Sequence, residues 1–304
     1  MTSVSDATRK PLDGFAISVM VLMCAAWGLQ QVAIKVAAPQ VGPVMQAALR
    51  SCLASVLVLL FMLVRRAPLL ARDGTWRPGL LAGVLFGLEF LCIFVGLSYT
   101  TASRMGIFLY VAPVFTALGL HWFVAGERLR SGQWAGVALA FGGMLVAFGD
   151  SFTHAPVAGA ASTLRGDLLG LLAGALWAAT TLVVRATRLS NAPPSKTLLY
   201  QLAVSGVLLM AMAIVTGQAG AMTLTPLSAA SLLYQGVIIA FASYLVWFWM
   251  LRRYLASRLS VFSFLTPLFS VTFGVMLLHE TVSMQFIAGA LLILAGIMLV
   301  NRRR

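Results

Sequence analysis

The sequence contains few charged residues. Lys, Arg, Asp and Glu make up 10% of its 304 residues, hydrophobic residues make up 61%, and the mean hydropathy is +0.96. A soluble globule, a disordered chain or a coiled coil needs far more charge than this, because each exposes much of its surface to water. The composition therefore excludes these three classes and indicates a protein that lies in a lipid bilayer.

Cysteine is also scarce. Cys24, Cys52 and Cys92 are the three cysteines, and all of them lie inside apolar runs. This number excludes a disulfide-rich fold, and thiols in such surroundings behave as small hydrophobic side chains. The cysteines therefore carry no information about the redox compartment.

The sequence lacks the residue clusters of an intramembrane enzyme. Its eight acidic residues are scattered, its three histidines (His121, His154 and His279) lie on separate segments, and it has no HExxH, GxSxG or Walker motif. We therefore expect no catalytic residues, no metal site and no cofactor, and nothing indicates an ATPase partner. An intramembrane enzyme that acts on a lipid-linked or peptide substrate is the alternative function.

Apolar runs long enough to cross a membrane dominate the chain. A spanning helix needs about 20 mostly apolar residues. Ten such segments lie near 15–36, 44–64, 79–97, 104–124, 132–149, 166–187, 196–216, 228–250, 259–278 and 284–301. The breaks between them are short, and only residues 150–165 are loop-like for any distance. The sequence predicts an all-α membrane protein with ten transmembrane helices and no soluble domain.

The basic residues collect on one side of these predicted helices. Seventeen of the 21 belong to that side, and only Lys35, Arg104 and Arg165 belong to the loops of the other. Basic loops stay in the cytoplasm, so both termini are predicted to be cytoplasmic in a multi-pass protein of the plasma membrane, here the bacterial inner membrane. The same bias accounts for most of the net charge of +13, so no nucleic-acid partner is expected.

The second half of the sequence repeats distinctive residues of the first. The matched pairs are Trp27/Trp177 and Lys35/Arg185 at a shift of 150 residues, Glu127/Glu280, Gly136/Gly289 and Gly143/Gly296 at 153, and Ser103/Ser257, Arg104/Arg258 and Pro113/Pro267 at 154. Each repeat holds five predicted helices. Because five is odd, the two copies must cross the membrane in opposite senses, which is the inverted-repeat architecture of many secondary transporters.

This duplication predicts the organisation of the chain. Residues 15–149 form the first five-helix repeat, residues 166–301 form the second, and residues 150–165 form an extracytoplasmic linker between them. Residues 1–14 and 302–304 are the predicted cytoplasmic tails.

The same residues carry a family resemblance. Each half has a Trp in its first helix, a Pro in the middle of its fourth, a Glu just after the fourth, and glycines in its fifth. In this order the chain resembles two EamA domains of the drug/metabolite transporter superfamily, over residues 15–301. The resemblance implies a ten-helix carrier, commonly an exporter of amino acids or other small metabolites, with a substrate cavity between its halves. The shorter four-helix relatives use a membrane Glu in their first helix, and this chain has none there, so their proton-drug exchange is not implied.

Glu89 is an acid near the middle of the third predicted helix, and the eighth helix has no acid at the matching position around Ala242 and Ser243. An ionised carboxylate at that depth costs at least about 2.5 kcal/mol on insertion scales, so it needs a partner or a cavity. Because the repeat does not require this acid, we predict that Glu89 handles substrate or protons. The alternative is a protonated, hydrogen-bonded structural residue.

Arg50 is the candidate partner of Glu89. It lies about six residues into the second helix, which places it roughly 9 Å deep at 1.5 Å per residue. Paired with Glu89, it would form a zwitterionic site suited to an amino acid or a similar substrate. The alternative is an arginine that snorkels to the membrane interface.

Prolines and aromatic residues complete the candidate site. Pro113 and Pro267 each remove a backbone hydrogen bond in mid-helix, and the resulting kinks are either gating elements or purely mechanical features. The aromatic candidates for the cavity wall are Trp27, Trp177, Tyr99, Tyr110, Tyr244 and Trp247. Glu127 and Glu280 recur at helix ends in both halves, so we interpret them as capping or ion-pairing scaffold. The predicted function is export of a small metabolite by alternating access, with the oligomeric state and the energy source left open.

Overall fold

The computed structural model describes residues 13–67, 73–123, 129–153, 160–254, 262–263 and 265–301, and their regular structure is helical. The helices are α1 Gly14–Ala37, α2 Pro43–Val64, α3 Trp76–Gly96, α4 Ala102–Leu109, α5 Ala112–Phe123, α6 Ser131–Thr153, α7 Ala160–Ala186, α8 Pro194–Val215, α9 Pro226–Leu233, α10 Tyr244–Arg253, α11 Leu265–Leu278 and α12 Met284–Asn301. A 3-10 turn, Arg188–Asn191, precedes α8, and a π-helix, Tyr234–Ser243, joins α9 to α10.

The predicted membrane segments appear as helices. Over the described residues, seven helical stretches are long and apolar enough to span a membrane, and three shorter apolar helices cover 131–147, 265–278 and 284–300. These ten stretches coincide with the ten segments read from the sequence. The prediction of an all-helical, multi-pass membrane protein is confirmed, and the count of ten spanning helices stays a prediction.

Local sequence signals account for several helix starts. Asp13 and Thr101 each accept a backbone N–H of the first turn of α1 and α4 with a side-chain oxygen, which satisfies a donor that has no partner within the helix. Pro43, Pro194 and Pro226 stand at the first residue of α2, α8 and α9. Proline suits this position because its missing N–H would have no helical partner there.

The fourth predicted span is broken in its middle. Helix α4 ends at Leu109, Tyr110 and Val111 form a turn, and α5 begins at Ala112. Pro113 is the second residue of α5 and Pro267 is the third residue of α11. Each proline therefore sits in a first helical turn, where no N–H is needed. The segment before α11 lies largely outside the described residues.

The two halves of the chain interdigitate. α1 packs along α11, α2 along α8, α3 along α7 and α8, and α6 along α12. The largest cluster of buried hydrophobic residues lies mainly among α2, α3 and α8, and a second cluster lies among α4, α5, α6 and α12. Over the described residues, the most extensive contacts between helices thus join the two halves.

The glycines matched by the repeat meet at the interface of α6 and α12. A Cβ atom added to Gly136 would lie 2.8 Å from the carbonyl oxygen of Gly296, and one added to Gly143 would lie 2.7 Å from that of Gly289. The predicted repeat matches Gly136 with Gly289 and Gly143 with Gly296. It therefore converts the contact between Gly136 and Gly296 into the contact between Gly143 and Gly289. The absence of side chains at these positions lets the two backbones touch.

An ion pair joins the loop before α3 to the start of α8. Lys196 Nζ donates to Asp73 Oδ2 at 2.8 Å, and the Thr75 hydroxyl donates to Oδ1 at 2.6 Å. The hydrogen bond from Lys196, followed by that from Thr75, holds the pKa of the Asp73 carboxyl well below its usual range. Asp73 therefore stays ionised at neutral pH.

Candidate functional site

Arg50 lies inside the bundle on α2, with 0% of its surface exposed. Its Nη2 donates to the Tyr244 hydroxyl at 3.4 Å, and its Cζ lies 3.8 Å from the centroid of the Phe90 ring. A guanidinium at this distance from an aromatic ring is stabilised by a cation–π interaction. The Nε and Nη1 atoms have no hydrogen-bond partner among the described residues. The side chain is enclosed by protein and does not reach the surface, as a snorkelling arginine would.

Glu89 lies on α3 with 5% of its surface exposed, and it interacts electrostatically with Arg50. Its Oε2 atom is buried and accepts no hydrogen bond from the described part of the chain. Phe90, the next residue, is the ring that Arg50 covers. The guanidinium and the carboxyl group are therefore close enough to interact electrostatically, and both have hydrogen-bonding atoms without a partner among the described residues.

Two aromatic pairs lie on elements around these charges. The ring of Tyr110, in the turn between α4 and α5, meets Trp177 edge-on with centroids 5.5 Å apart. Trp27 meets Trp247 with centroids 5.9 Å apart, and its Nε1 donates to the Ser243 hydroxyl at 2.9 Å. Tyr244, the partner of Arg50, directly follows Ser243. Tyr110, Trp177 and Tyr244 thus share one cluster with Phe90, whereas Trp27 and Trp247 belong to a second cluster that Ser243 joins to Tyr244.

Tyr99 lies apart from this group. It follows α3, ten residues beyond Glu89, and 40% of its surface is exposed. Seven of these ten residues are helical, which corresponds to roughly 10 Å along the axis of α3. The ring therefore lies beyond the end of α3, and its part in the cavity wall stays a prediction.

Several buried polar atoms have no hydrogen-bond partner among the described residues. Besides those of Arg50 and Glu89, they include Ser51 Oγ on α2, Gln31 Oε1 on α1, Gln235 Oε1 on the π-helix and Ser270 Oγ on α11. Buried polar groups normally have partners, so each exception calls for an explanation such as a binding role. These atoms can accept or donate hydrogen bonds to a polar ligand.

The sequence interpretation missed a buried amide pair. Gln235 Nε2 donates to Gln46 Oε1 at 3.2 Å, and Gln46 lies one turn before Arg50 on α2. Gln235 belongs to the π-helix, an arrangement that is rare and frequent at functional sites. The signal that singled out Glu89, a polar residue within an apolar run, would also have found both glutamines.

Glu280 has the scaffold role predicted for it. Its carboxylate accepts the backbone N–H of Ala102 at 2.7 Å and of Ser103 at 3.0 Å, and also the Ser103 hydroxyl at 2.7 Å. It thereby caps the first turn of α4, and Lys35 Nζ lies 3.9 Å away. Its counterpart in the repeat, Glu127, lies outside the described residues.

Membrane-spanning helices from both halves surround a buried acid, a buried base and aromatic rings, and this arrangement defines the class of multi-pass membrane proteins with an interior polar site. The profile of the EamA-like transporter family matches residues 14–149 and 164–302. The chain belongs to this family, which confirms the resemblance read from its prolines, glycines and glutamates.

Curated relatives match over nearly the whole chain. The chain is 28% identical to a "Probable amino-acid metabolite efflux pump" of Salmonella typhimurium (strain LT2), covering 94% of this chain and 93% of the relative. It is 25% identical to "Uncharacterized transporter YoaV" of Bacillus subtilis (strain 168), covering 89% and 91%. A solved crystal structure has a similar fold, with a TM-score of 0.64 at 19% identity over 94% of this chain and 98% of the other. Family and relatives together indicate a transporter of small molecules.

Proposed function

We propose that the protein is a secondary transporter that exports an amino acid or a related small metabolite across the plasma membrane by alternating access. The observation that carries the proposal is the Arg50 and Glu89 pair, which is buried where α2 and α3 of the first half meet α8 and α10 of the second. The proposal makes this pair the substrate site.

The chemistry of the pair supports a zwitterionic substrate. An amino acid presents a carboxylate, which an arginine binds through two parallel hydrogen bonds, and an ammonium group, which a carboxylate binds. Arg50 has N–H donors without a partner at Nε and at Nη1 for a carboxylate oxygen, and Glu89 has Oε2 for the ammonium group. The name of the Salmonella relative, "Probable amino-acid metabolite efflux pump", supports the same substrate class and the outward direction.

The predicted inverted repeat supplies the proposed mechanism of movement. In such carriers one repeat rocks against the other around a site near the middle of the membrane. We place both termini in the cytoplasm and the protein in the bacterial inner membrane, on the distribution of Lys and Arg. A reporter fused after Arg304 that is active only outside the cytoplasm should stay inactive, and an active reporter would refute this topology.

Comparison of the growth medium of cells with and without the protein tests the function. We expect one or a few amino acids or related metabolites to be enriched in the medium when the protein is produced. The purified protein in proteoliposomes should then exchange the same compounds. A change in the chemical structure of a lipid-linked or peptide compound, without redistribution of any metabolite, would favour the intramembrane enzyme instead.

Pro113 tests whether the broken helix belongs to the transport cycle. Pro113→Ala restores an N–H, and proline costs a helix interior about 3 kcal/mol relative to alanine, so the variant favours a continuous helix through Tyr110. We expect normal abundance in the membrane and transport lowered about fivefold or more, because a shift of this size in a two-state equilibrium depopulates one state. Pro43→Ala, at the first residue of α2, is the control and should transport normally. Reduced abundance with unchanged activity per molecule would make Pro113 a folding residue.

A further inference from the structure

Two acids hold the halves of the protein together at opposite ends of the bundle. We call the end where α1 and α3 finish the outer face, and the end where α1 begins the inner face. At the outer face, Asp167 on α7 accepts the Thr100 hydroxyl at 2.6 Å and Arg104 Nε at 2.9 Å. Asp167 is 0% exposed. An acid of the second half thus binds two residues of the first.

At the inner face the acid comes from the first half and its partner from the second. Asp13, just before α1, accepts the hydroxyl of Tyr254, just after α10, with Oδ1 at 3.2 Å and Oδ2 at 3.1 Å. Tyr254 is buried. Here an acid of the first half binds a residue of the second.

The two contacts have similar places in the two halves. In each, a carboxylate at or near the start of one half's first helix accepts the hydroxyl of a residue that precedes the fourth predicted helix of the other half. Asp13 lies 14 residues before Trp27 and Asp167 lies 10 residues before Trp177, so the shift of 150 that relates the first helices does not match the two acids with each other. One such contact lies at each face.

These contacts lie where alternating access must break bonds. Opening a face separates the halves there, so a hydrogen bond to a carboxylate across that boundary must be given up, a buried one at Asp167 and a partly buried one at Asp13. At the outer face the same boundary carries the cap of Glu280, from the loop after α11, on α4. Each carboxylate contact therefore opposes opening of its own face and not of the other.

We propose that Asp167 and Asp13 are paired latches, one at each face, whose alternate release opens the site to the two sides of the membrane. The proposal rests on the proposed transport function and adds to it the residues that set the balance between outward-open and inward-open states. Weakening the Asp167 latch favours opening at the outer face, and weakening the Asp13 latch favours opening at the inner face.

Labelling of the native cysteines measures this balance without any substrate. Cys92 lies on α3 between Glu89 and the outer end, and Cys24 lies on α1 between Asp13 and Trp27. Both are buried. Variants that keep one of them and replace the other two cysteines with serine report opening at one face, through the rate of reaction with a membrane-impermeant methanethiosulfonate added from that side.

We expect Asp167→Asn to speed the labelling of Cys92 from the outer side about tenfold, because a hydrogen bond to a charged group is lost. Asp13→Asn should speed the labelling of Cys24 from the inner side to a similar extent. Thr272→Val is the control, since the Thr272 hydroxyl donates to the Leu268 carbonyl of its own helix at 2.9 Å and does not join the halves, and it should change neither rate.

Milder variants keep the test valid if the protein cannot fold once Asp167, the partner of the buried Arg104, has lost its charge. Thr100→Val and Tyr254→Phe remove one hydrogen bond each and leave both acids in place, and they should move the same rates in the same directions. Unchanged labelling rates in these folded variants would refute the latches, even if the protein transports a metabolite. A labelling shift in a protein that moves no metabolite would instead support the latches and refute the transport function.

Discussion

Glu89→Gln is expected to lower transport by roughly 10- to 100-fold while the protein still inserts and folds. The amide keeps the size of the side chain and one hydrogen-bonding oxygen but removes the charge. A hydrogen bond to a charged group contributes about 1.5–3 kcal/mol, which corresponds to that range of rates or affinities. Initial uptake rates in proteoliposomes, normalised to the amount of folded protein, measure the effect.

The pH dependence separates the two roles that Glu89 can have. If the carboxylate cycles a proton, wild-type flux depends on the pH gradient and the Glu89→Gln variant is indifferent to it. If the carboxylate binds the ammonium group of the substrate, the main defect of the variant is a lower affinity for substrate. Its flux then depends on the pH gradient as the wild-type flux does. Full transport by Glu89→Gln at every pH would refute the site.

Arg50 supplies a second, linked test of the same site. Arg50→Gln should cause a similar defect, and the double variant should be much less than additive if both residues bind one substrate. Arg50→Lys keeps the charge but loses the planar guanidinium that covers Phe90, so it should restore little activity. Additive defects in the double variant would mean that the two charges act on separate steps.

Gly143→Val is expected to prevent the protein from accumulating in folded form. A Cβ at this position would lie 2.7 Å from the Gly289 carbonyl oxygen and 2.7 Å from the Ile293 backbone nitrogen, and neither backbone atom can move away without separating α6 from α12. Overpacking of an interior costs about 1–3 kcal/mol even where side chains can yield. Size-exclusion profiles and thermal stability in detergent measure the loss.

Gly142→Val is the matched control for this prediction. Gly142 is the preceding residue on α6, and a Cβ added there meets no atom within 4 Å. The intrinsic effect of valine on the helix is the same at both positions, so the difference between the two variants isolates the packing of α6 against α12. Equal stability of the two variants would show that the close approach of the helices is not needed.

The helices and the membrane class could be predicted because apolar runs of about 20 residues have few other stable structures. The cap formed by Glu280 could be anticipated, since the same acid recurs after the fourth helix of each half. The proximity of Glu89 and Arg50 could not, because hydropathy gives the depth of a residue but not the distances between helices.

Local departures from the α-helix were harder to predict. The prolines indicated a kink, yet the break falls at Tyr110 and Val111, before Pro113, because proline is accommodated best in the first turn of a new helix. The π-helix around Gln235 and Ser243 has no such marker. Its sequence is an ordinary apolar run, and only packing against α1, α2 and α10 distinguishes it.

The pairing of α6 with α12 also constrains the order in which the protein can be completed during synthesis. Gly143 and Gly289 are 146 residues apart in the chain (289 − 143), so α12 leaves the ribosome well after α6. At about 5–20 residues per second, the groove on α6 waits roughly 7 to 30 s for its partner. During that interval the glycine surface of α6 can contact lipid or another helix that has small residues. The insertion machinery and neighbouring nascent chains therefore meet this protein before α6 and α12 have packed together.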